Sequence, residues 1–383
     1  MSLYLDNNAT TPPHSEVIDV MRRCLSEDWG NPSSAHRAGI AARRQLELAR
    51  SALSKLVGCD ESQVVFTSGG TEAANLALLG AFRRVRTREP ERTIVACPGT
   101  EHPAVLDSIE RCRESGAEVI RLAVDSRGVL ELTTFERLLE ARGHSMALCS
   151  VMWANNETGV IQPIERIGSL CREHGVLFHT DAVQWIGRER CDLSELPVDL
   201  LTCSAHKLHG PKGAGALVLR KGVTIEPRAL GGPQERERRG GTENVAAIAG
   251  FGRACELASD WLDSGRRETA ASLRDRFETS VLELHPGAVV NGGGAPRIWN
   301  TVNIGFPGLQ AQLLVVVFSE RGLAVSGGAA CASGSLEVSG VLGAMEVDHE
   351  TASGSLRFSL ARDTTDADID AALEIIADVL GSF

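Results

Sequence analysis

The chain has 383 residues, a formal net charge of −11, 43% hydrophobic residues and 23% charged residues. This length and composition favour a globular protein with one large domain and a smaller companion. The acidic balance argues against a nucleic-acid binder, because phosphate contacts require a basic surface, and no long apolar run or secretory signal is present. We therefore expect a cytoplasmic protein without direct contact to nucleic acid or membrane.

Short apolar runs alternate with helical patterns through the first two thirds of the chain. The runs are apolar throughout, which is typical of strands covered on both faces, and we predict such strands at residues 64–66, 93–96, 147–152, 176–178, 200–203 and 216–219. Helical patterns lie between them at residues 72–82, 104–113 and 164–174. This alternation predicts an α/β fold with a mostly parallel sheet between helices, and ligands bound beyond the carboxyl ends of the strands.

A second region begins near residue 254 with a long helical pattern that runs to residue 284. Strands near 301–304 and 354–359 and an amphipathic helix at 366–380 follow it. We predict a large cofactor-binding domain at residues 15–254. Residues 1–14 and 255–383 are expected to form a smaller α+β domain.

The ten cysteines are scattered and form no CxxC pair. This spacing argues against a local zinc site or a redox dithiol, so no metal site is expected. In a reducing compartment most of these cysteines are expected to be reduced core residues.

Lys207 lies in a polar turn, residues 204–213 (SAHKLHGPKG), directly after an apolar strand. A lysine there is either an ordinary loop residue or a Schiff-base lysine held near a bound aldehyde. Asp181 ends another predicted strand and could support the ring nitrogen of a pyridine cofactor. The alternative for Asp181 is a simple helix cap.

A third polar segment, residues 66–72 (FTSGGTE), joins a strand to a helix through a glycine turn. Backbone amides at such a helix start can bind a phosphate, so Gly70 and Thr71 are candidate phosphate ligands. The pattern is neither a Walker loop nor a dinucleotide fingerprint.

Taken together, these segments resemble the cysteine desulfurases of the class V aminotransferase family, which are fold-type I pyridoxal-phosphate enzymes. The likeness covers nearly the whole chain and is closest to the nitrogen-fixation type. Its signatures are residues 5–11 (LDNNATT), 30–34 (GNPSS), 100–102 (TEH), 153–159 (WANNETG), 206–207 (HK) and 239–244 (RGGTEN).

The resemblance implies a homodimer that binds pyridoxal 5′-phosphate through Lys207, with His102 stacked over the ring as the proton carrier. Asp181 would pair with the ring nitrogen, Gln184 with the phenolic oxygen, and Asn156 would lie against the cofactor. The phosphate would be held by Gly70, Thr71, Ser204, His206 and, from the second subunit, Thr242. Asn31 and Arg357 would bind the substrate carboxylate, for which a planar guanidinium is well suited, and Asn156 would also contact the substrate.

Cys331 lies in a segment of small residues, 326–335 (SGGAACASGS), which cannot pack a core but allows backbone movement. The resemblance makes residues 326–337 a mobile loop whose thiol takes sulfur from L-cysteine, leaving L-alanine and a Cys331 persulfide. The loop departs from the family pattern, because it lacks the usual hydroxyl residues before the cysteine. An acceptor protein, such as an iron–sulfur scaffold, would then take the sulfur; thiolated tRNA and sulfur-modified DNA remain open as destinations.

Two other classes of function are compatible with these residues. A selenocysteine lyase or a class V aminotransferase would use Lys207 and Asp181 equally well, whereas a transaminase would not need Cys331. A catalytically silent sulfur carrier or scaffold would keep the fold without the cofactor.

Overall fold

The computed structural model describes residues 3–327 and 339–381. The helices of the described residues are α1 (Ser15–Ser26), α2 (Arg37–Val57), α3 (Gly70–Arg88), α4 (Pro103–Glu114), α5 (Leu132–Arg142), α6 (Ile164–Glu173), α7 (Val245–Asp263), α8 (Arg267–Leu284), α9 (Ala311–Glu320), α10 (Gly340–Ala344), α11 (His349–Ser353) and α12 (Asp366–Leu380). The strands are β1 (Leu3–Tyr4), β2 (Val64–Thr67), β3 (Ile94–Pro98), β4 (Glu118–Leu122), β5 (Met146–Ser150), β6 (Leu177–Asp181), β7 (Leu200–Ser204), β8 (Gly215–Leu219), β9 (Val289–Val290), β10 (Thr301–Gly305), β11 (Leu323–Ala324), β12 (Ser326–Gly327) and β13 (Ser355–Ser359).

The largest sheet has seven strands in the order β2-β8-β7-β6-β5-β3-β4. Strand β8 is antiparallel to both neighbours, and the other pairs are parallel. The predicted fold class, with a mostly parallel sheet between helices, is therefore confirmed. Strand β4 was not predicted, because it lies at the sheet edge and carries the exposed charges Glu118 and Arg121.

Helices cover both faces of this sheet, which explains why its strands are apolar throughout. Alternate strand residues point to opposite faces: Val64 and Phe66 belong to one core, and Val65 belongs to the other. Helices α1, α2 and α7 pack on the first face, and α3 and α4 on the second. A sheet buried in this way leaves only the strand ends open to ligands.

A separate core forms around the antiparallel sheet β12-β13-β10-β9, packed by α8, α9 and α12. The N-terminal arm belongs to this core, since β1 pairs with β11 and Leu5 is 1% exposed. The predicted division at residues 14 and 254 stays a proposal. No helix in the described ranges is long and apolar enough to cross a membrane, and no cluster of potential metal ligands occurs in them.

The single helix suggested by the pattern from residue 254 to 284 is two helices in the structure. Helix α7 ends at Asp263, and α8 begins at Arg267. Gly265 between them has a φ of +71°, a left-handed conformation that glycine adopts without strain and that ends a helix. Residues 263–269 (DSGRRET) carry no apolar side chain, so the sequence does contain a signal for this break, which the predicted single helix passes over.

Truncating Phe277 should destabilise the smaller core strongly. Its side chain is fully buried on α8, and its ring lies 5.0 Å from that of Phe358. Phe277→Ala should lower the free energy of unfolding by about 3–5 kcal/mol through lost burial and the cavity left behind. Leu284→Ala on the same helix is the control, because Leu284 is 45% exposed; equal urea midpoints for the two variants would contradict this assignment of the core.

Candidate active site

Four neighbouring strands of the large sheet deliver functional side chains to one edge. His102 follows β3, Asn156 follows β5, Asp181 ends β6 and Lys207 follows β7. Because the carboxyl ends of parallel strands meet at the same edge, these residues converge. The convergence is close enough for His102 and Lys207 to affect the charge state of Asp181.

The N-terminal arm closes this edge over Lys207. The Lys207 amine donates to the carbonyl oxygen of Asn8 and, at 2.8 Å, to that of Ala9. Gln184 Nε2 donates to the same Asn8 oxygen at 3.1 Å. Lys207 and Gln184, both of which the family resemblance assigns to the cofactor, therefore share one backbone carbonyl as acceptor.

The N-terminal arm also contacts His206. Its Nδ1 lies 3.1 Å from Thr10 Oγ1, and its carbonyl oxygen accepts from the Thr11 amide at 2.9 Å. Burial, together with the positive charge of Lys207, lowers the pKa of His206 to about 4. The imidazole is therefore neutral at neutral pH and can act as a hydrogen-bond partner rather than a cation.

Asp181 is the buried acid of the cluster. Its Oδ1 accepts from the Val183 amide at 2.9 Å. Burial raises the pKa of the carboxyl above its ordinary value, and the charges of His102 and Lys207 oppose that rise. A buried carboxylate of raised pKa interacts strongly with a protonated ring nitrogen, which suits the predicted partner of a pyridine.

His102 caps the N-terminus of α4. Its Nδ1 accepts from the Ala104 amide at 3.0 Å, so the neutral imidazole carries its proton on Nε2. This bond fixes the tautomer of the imidazole. Pro103 as the first helical residue stabilises the same helix start.

The start of α3 forms a cradle beside Ser204. A Cβ placed on Gly70 would lie 2.9 Å from Val183 Cγ2 and 3.6 Å from Ser204 Cβ. The amides at this helix N-terminus therefore adjoin the Ser204 side chain, with Thr71 exposed beside them. Such an arrangement of amides and hydroxyls suits a phosphate.

Arg357 joins the smaller core to the site. Its Nη1 donates to the Asn156 carbonyl at 3.0 Å, and its Nη2 donates to Asp6 Oδ1 at 2.6 Å. Arg357 Nε and Asn156 Oδ1 are buried without a hydrogen-bond partner. Buried polar atoms of this kind are uncommon in folded proteins, and a bound molecule or an ordered water is one way to satisfy them.

Asn31 and Thr242 lie at the surface. Asn31 Oδ1 accepts from the Ser33 amide at 2.9 Å. Their chain neighbours Pro32 and Glu243 line a cavity of about 470 Å³. A further cavity of about 490 Å³ lies beside Trp153 and Cys191, with neither Lys207 nor His102 in its lining. Substrate binding by Asn31 and phosphate binding by Thr242 of a second subunit therefore stay predictions.

Glu157 is a site residue to which the sequence assigned no role, although it lies within the 153–159 signature. Ser339 Oγ donates to Glu157 Oε2 at 2.5 Å. Burial raises the pKa of this carboxyl to about 7, while the Ser339 bond and the charges of Arg357 and His102 oppose the rise. The available sequence signal was a single carboxyl within the polar signature 153–159 (WANNETG).

Cys331 lies outside the described residues. The described residues on either side of its segment both adjoin the site. Ser326 of β12 pairs with Arg357 of β13, and Ser339 is bonded to Glu157. The chain therefore leaves and re-enters the described structure beside the predicted substrate residues.

Comparison with known proteins gives one consistent result. The family described as "Aminotransferase class-V" matches residues 3–372. "Cysteine desulfurase 2" of Trichormus variabilis is 42% identical over 99% of this chain and 93% of its own length. A solved structure named "NIFS-LIKE PROTEIN" superposes with a TM-score of 0.92, at 36% identity over the full length of both chains. "SspA in complex with cysteine" superposes with a TM-score of 0.80, at 30% identity over 95% of this chain and all of the other.

Glu157 should make the protein less stable as pH rises. The pKa of its carboxyl is raised from 4.5 to about 7 on folding, so its favourable contribution is complete below about pH 4.5 and is lost as pH rises through 7. Relative to the wild type, Glu157→Gln should gain about 3 kcal/mol of unfolding free energy between pH 5 and pH 8. Urea unfolding at the two pH values measures this, with the exposed Glu350→Gln as control; a pH-independent difference would contradict the raised pKa.

Proposed function

Because the chain belongs to the class-V aminotransferase family, we propose that it is a cysteine desulfurase that converts L-cysteine to L-alanine. Cys331 receives the sulfur as a persulfide. The observation that carries this proposal is the cluster of Lys207, Asp181 and His102 at one sheet edge, with the ends of the Cys331 segment beside it.

The site fits pyridoxal 5′-phosphate. The ring would be held by Asp181, Gln184, His102 and Asn156, and the buried Asn156 Oδ1 has no hydrogen-bond partner among the described residues. The phosphate residues are Gly70, Thr71, Ser204, His206 and, from a second copy of the chain, Thr242. The cofactor would supply an electron sink that makes the α-proton of a substrate joined to it acidic.

The protein's own residues then bind substrate and move protons. Arg357 binds the substrate carboxylate with Asn31, and Asp6, which now holds one arm of the guanidinium, competes with that carboxylate. His102 carries protons through Nε2, because its Nδ1 is held by the Ala104 amide. Lys207 gives up its bonds to the Asn8 and Ala9 carbonyls when its amine takes part.

The other cysteines are poorly suited to accept sulfur. Seven of the nine described cysteines are buried and two, Cys59 and Cys191, are half-buried. Burial raises the pKa of eight of them. Since the thiolate is the attacking species, a buried thiol of raised pKa reacts slowly. This leaves Cys331 as the acceptor whose segment begins and ends at the site.

A homodimer suits the surface around Asn31. Large apolar side chains are exposed there on α1, on α2 and between them: Leu25 is 69% exposed, Trp29 71% and Ile40 55%. Exposed apolar patches commonly mark protein interfaces. A second copy bound here would bring its own chain to the cavity beside Asn31 and Thr242. The persulfide is then passed to an acceptor protein, for which an iron–sulfur scaffold in the cytoplasm is our proposal.

Replacing Cys331 should separate substrate binding from sulfur transfer. In Cys331→Ala, the cofactor absorbance and its change on adding L-cysteine should persist, because the ring contacts remain. Alanine formation should fall at least about 100-fold, as expected for loss of a nucleophile. Alanine is measured by chromatography, with the half-buried Cys59→Ala as the control that retains activity. Undiminished alanine formation by Cys331→Ala would contradict the role of Cys331 and would favour a lyase of the selenocysteine lyase type.

Lys207 tests the cofactor itself. The purified or reconstituted protein should absorb near roughly 390–420 nm, as a lysine-bound pyridoxal phosphate does. Lys207→Ala should lose that band while keeping its fold, monitored by circular dichroism. A wild-type protein that stays colourless after reconstitution would favour the scaffold function.

A further inference from the structure

Arg188 is a buried cation whose side-chain hydrogen bonds, among the residues that the structure describes, all go to uncharged groups. Its side chain follows β6 and is 4% exposed. The guanidinium donates to Gln184 Oε1, to the Asn7 carbonyl at 3.2 Å and to the Lys207 carbonyl at 3.4 Å. Each partner belongs to the Lys207 site or to the arm that covers it. A buried charge without a carboxylate partner is costly and therefore points to a role in function.

The contact with Gln184 decides which end of that amide faces the site. A terminal amide has one oxygen that accepts and one nitrogen that donates twice. Arg188 only donates, so it selects the orientation in which Gln184 Oε1 faces the guanidinium. In this orientation Nε2 donates one hydrogen to the Asn8 carbonyl at 3.1 Å, and the second hydrogen serves a ligand. The reversed amide would place its N–H groups against a cation.

We propose that Arg188 is a positioning residue that fixes Gln184 as a hydrogen-bond donor toward the phenolic oxygen of the cofactor. This inference rests on the proposed pyridoxal 5′-phosphate site. A donor at that oxygen stabilises its anionic form. It therefore lowers the pKa of the neighbouring nitrogen through which Lys207 is joined to the cofactor. A reversed Gln184 would turn its own oxygen toward the anion and would raise the pKa of that nitrogen.

The surroundings of Arg188 contain further charged groups that a pH titration must take into account. The pKa of Arg188 is lowered to about 9, chiefly by burial. The charges of Arg362 and of Arg357 on β13 act in the same direction. His206 and His209 feel the charge of Arg188, and the pKa of each is lowered to about 4, chiefly by burial. Neither histidine titrates near neutral pH, whereas Glu157, with a pKa of about 7, does, so the titration follows the absorbance of the cofactor itself rather than total proton uptake.

A double-mutant cycle tests the proposal on the reconstituted holoenzyme. The pH titration of the cofactor absorbance is measured for the wild type, Arg188→Met, Gln184→Ala and the double variant. Arg188→Met should raise the pKa of the chromophore by about one unit, because the donor is no longer oriented. In the Gln184→Ala background the same change should add almost nothing. An equal shift in both backgrounds would show that Arg188 acts through its charge alone and would overturn the proposal, as would no shift in Arg188→Met.

Two further variants control for folding and charge. Arg274→Met removes another buried arginine, one that is paired with Asp275 and bonded to the Ile298 carbonyl, and should leave the titration unchanged. Arg188→Lys keeps the charge but cannot reach the same partners, so it should shift the titration in the same direction as Arg188→Met. This variant keeps the proposal testable if Arg188→Met does not fold. A wild-type titration for Arg188→Lys would contradict the proposal. A wild-type protein without any chromophore would contradict the proposed function instead.

Discussion

The backbone carbonyl of Asn8 holds the site together. It accepts from both the Lys207 amine and the Gln184 amide, while the Asn8 side chain donates to Thr301 and its amide donates to Ser359. These bonds connect the N-terminal arm and the smaller core to the edge of the large sheet. The position of the lysine therefore depends on the packing of a segment that lies almost 200 residues away in the chain.

The same edge concentrates ionisable groups that burial has shifted. The pKa values of Asp181 and Glu157 are raised and that of Arg188 is lowered, in each case chiefly because the group is buried. Clustering of shifted groups is typical of functional sites. Its physical basis here is a water-poor pocket, in which each charge strongly affects its neighbours and each buried donor requires an acceptor.

Residue patterns predicted the sheet and the positions of Asp181 and Lys207, because continuous apolar runs define buried strands and polar residues at their ends converge. The break at Gly265 was not predicted, although the polar run at residues 263–269 (DSGRRET) is typical of a helix end. Arg188 and Asn8 were also not recognised as site residues. Many of their hydrogen bonds involve backbone carbonyls of distant segments. Every residue has such a carbonyl, so the residue types do not reveal these contacts. Glu157 was visible in a signature, but its role depends on a partner, Ser339, 182 residues further along the chain.

The central claim is that sulfur from L-cysteine reaches Cys331 through the site built around Lys207. The most direct test is mass spectrometry of the peptide containing Cys331 after brief incubation of the holoenzyme with L-cysteine, with thiols blocked before digestion. We expect one additional sulfur atom on Cys331 and none in Lys207→Ala. Sulfur on one of the other nine cysteines, or none on Cys331 while alanine accumulates, would contradict the account.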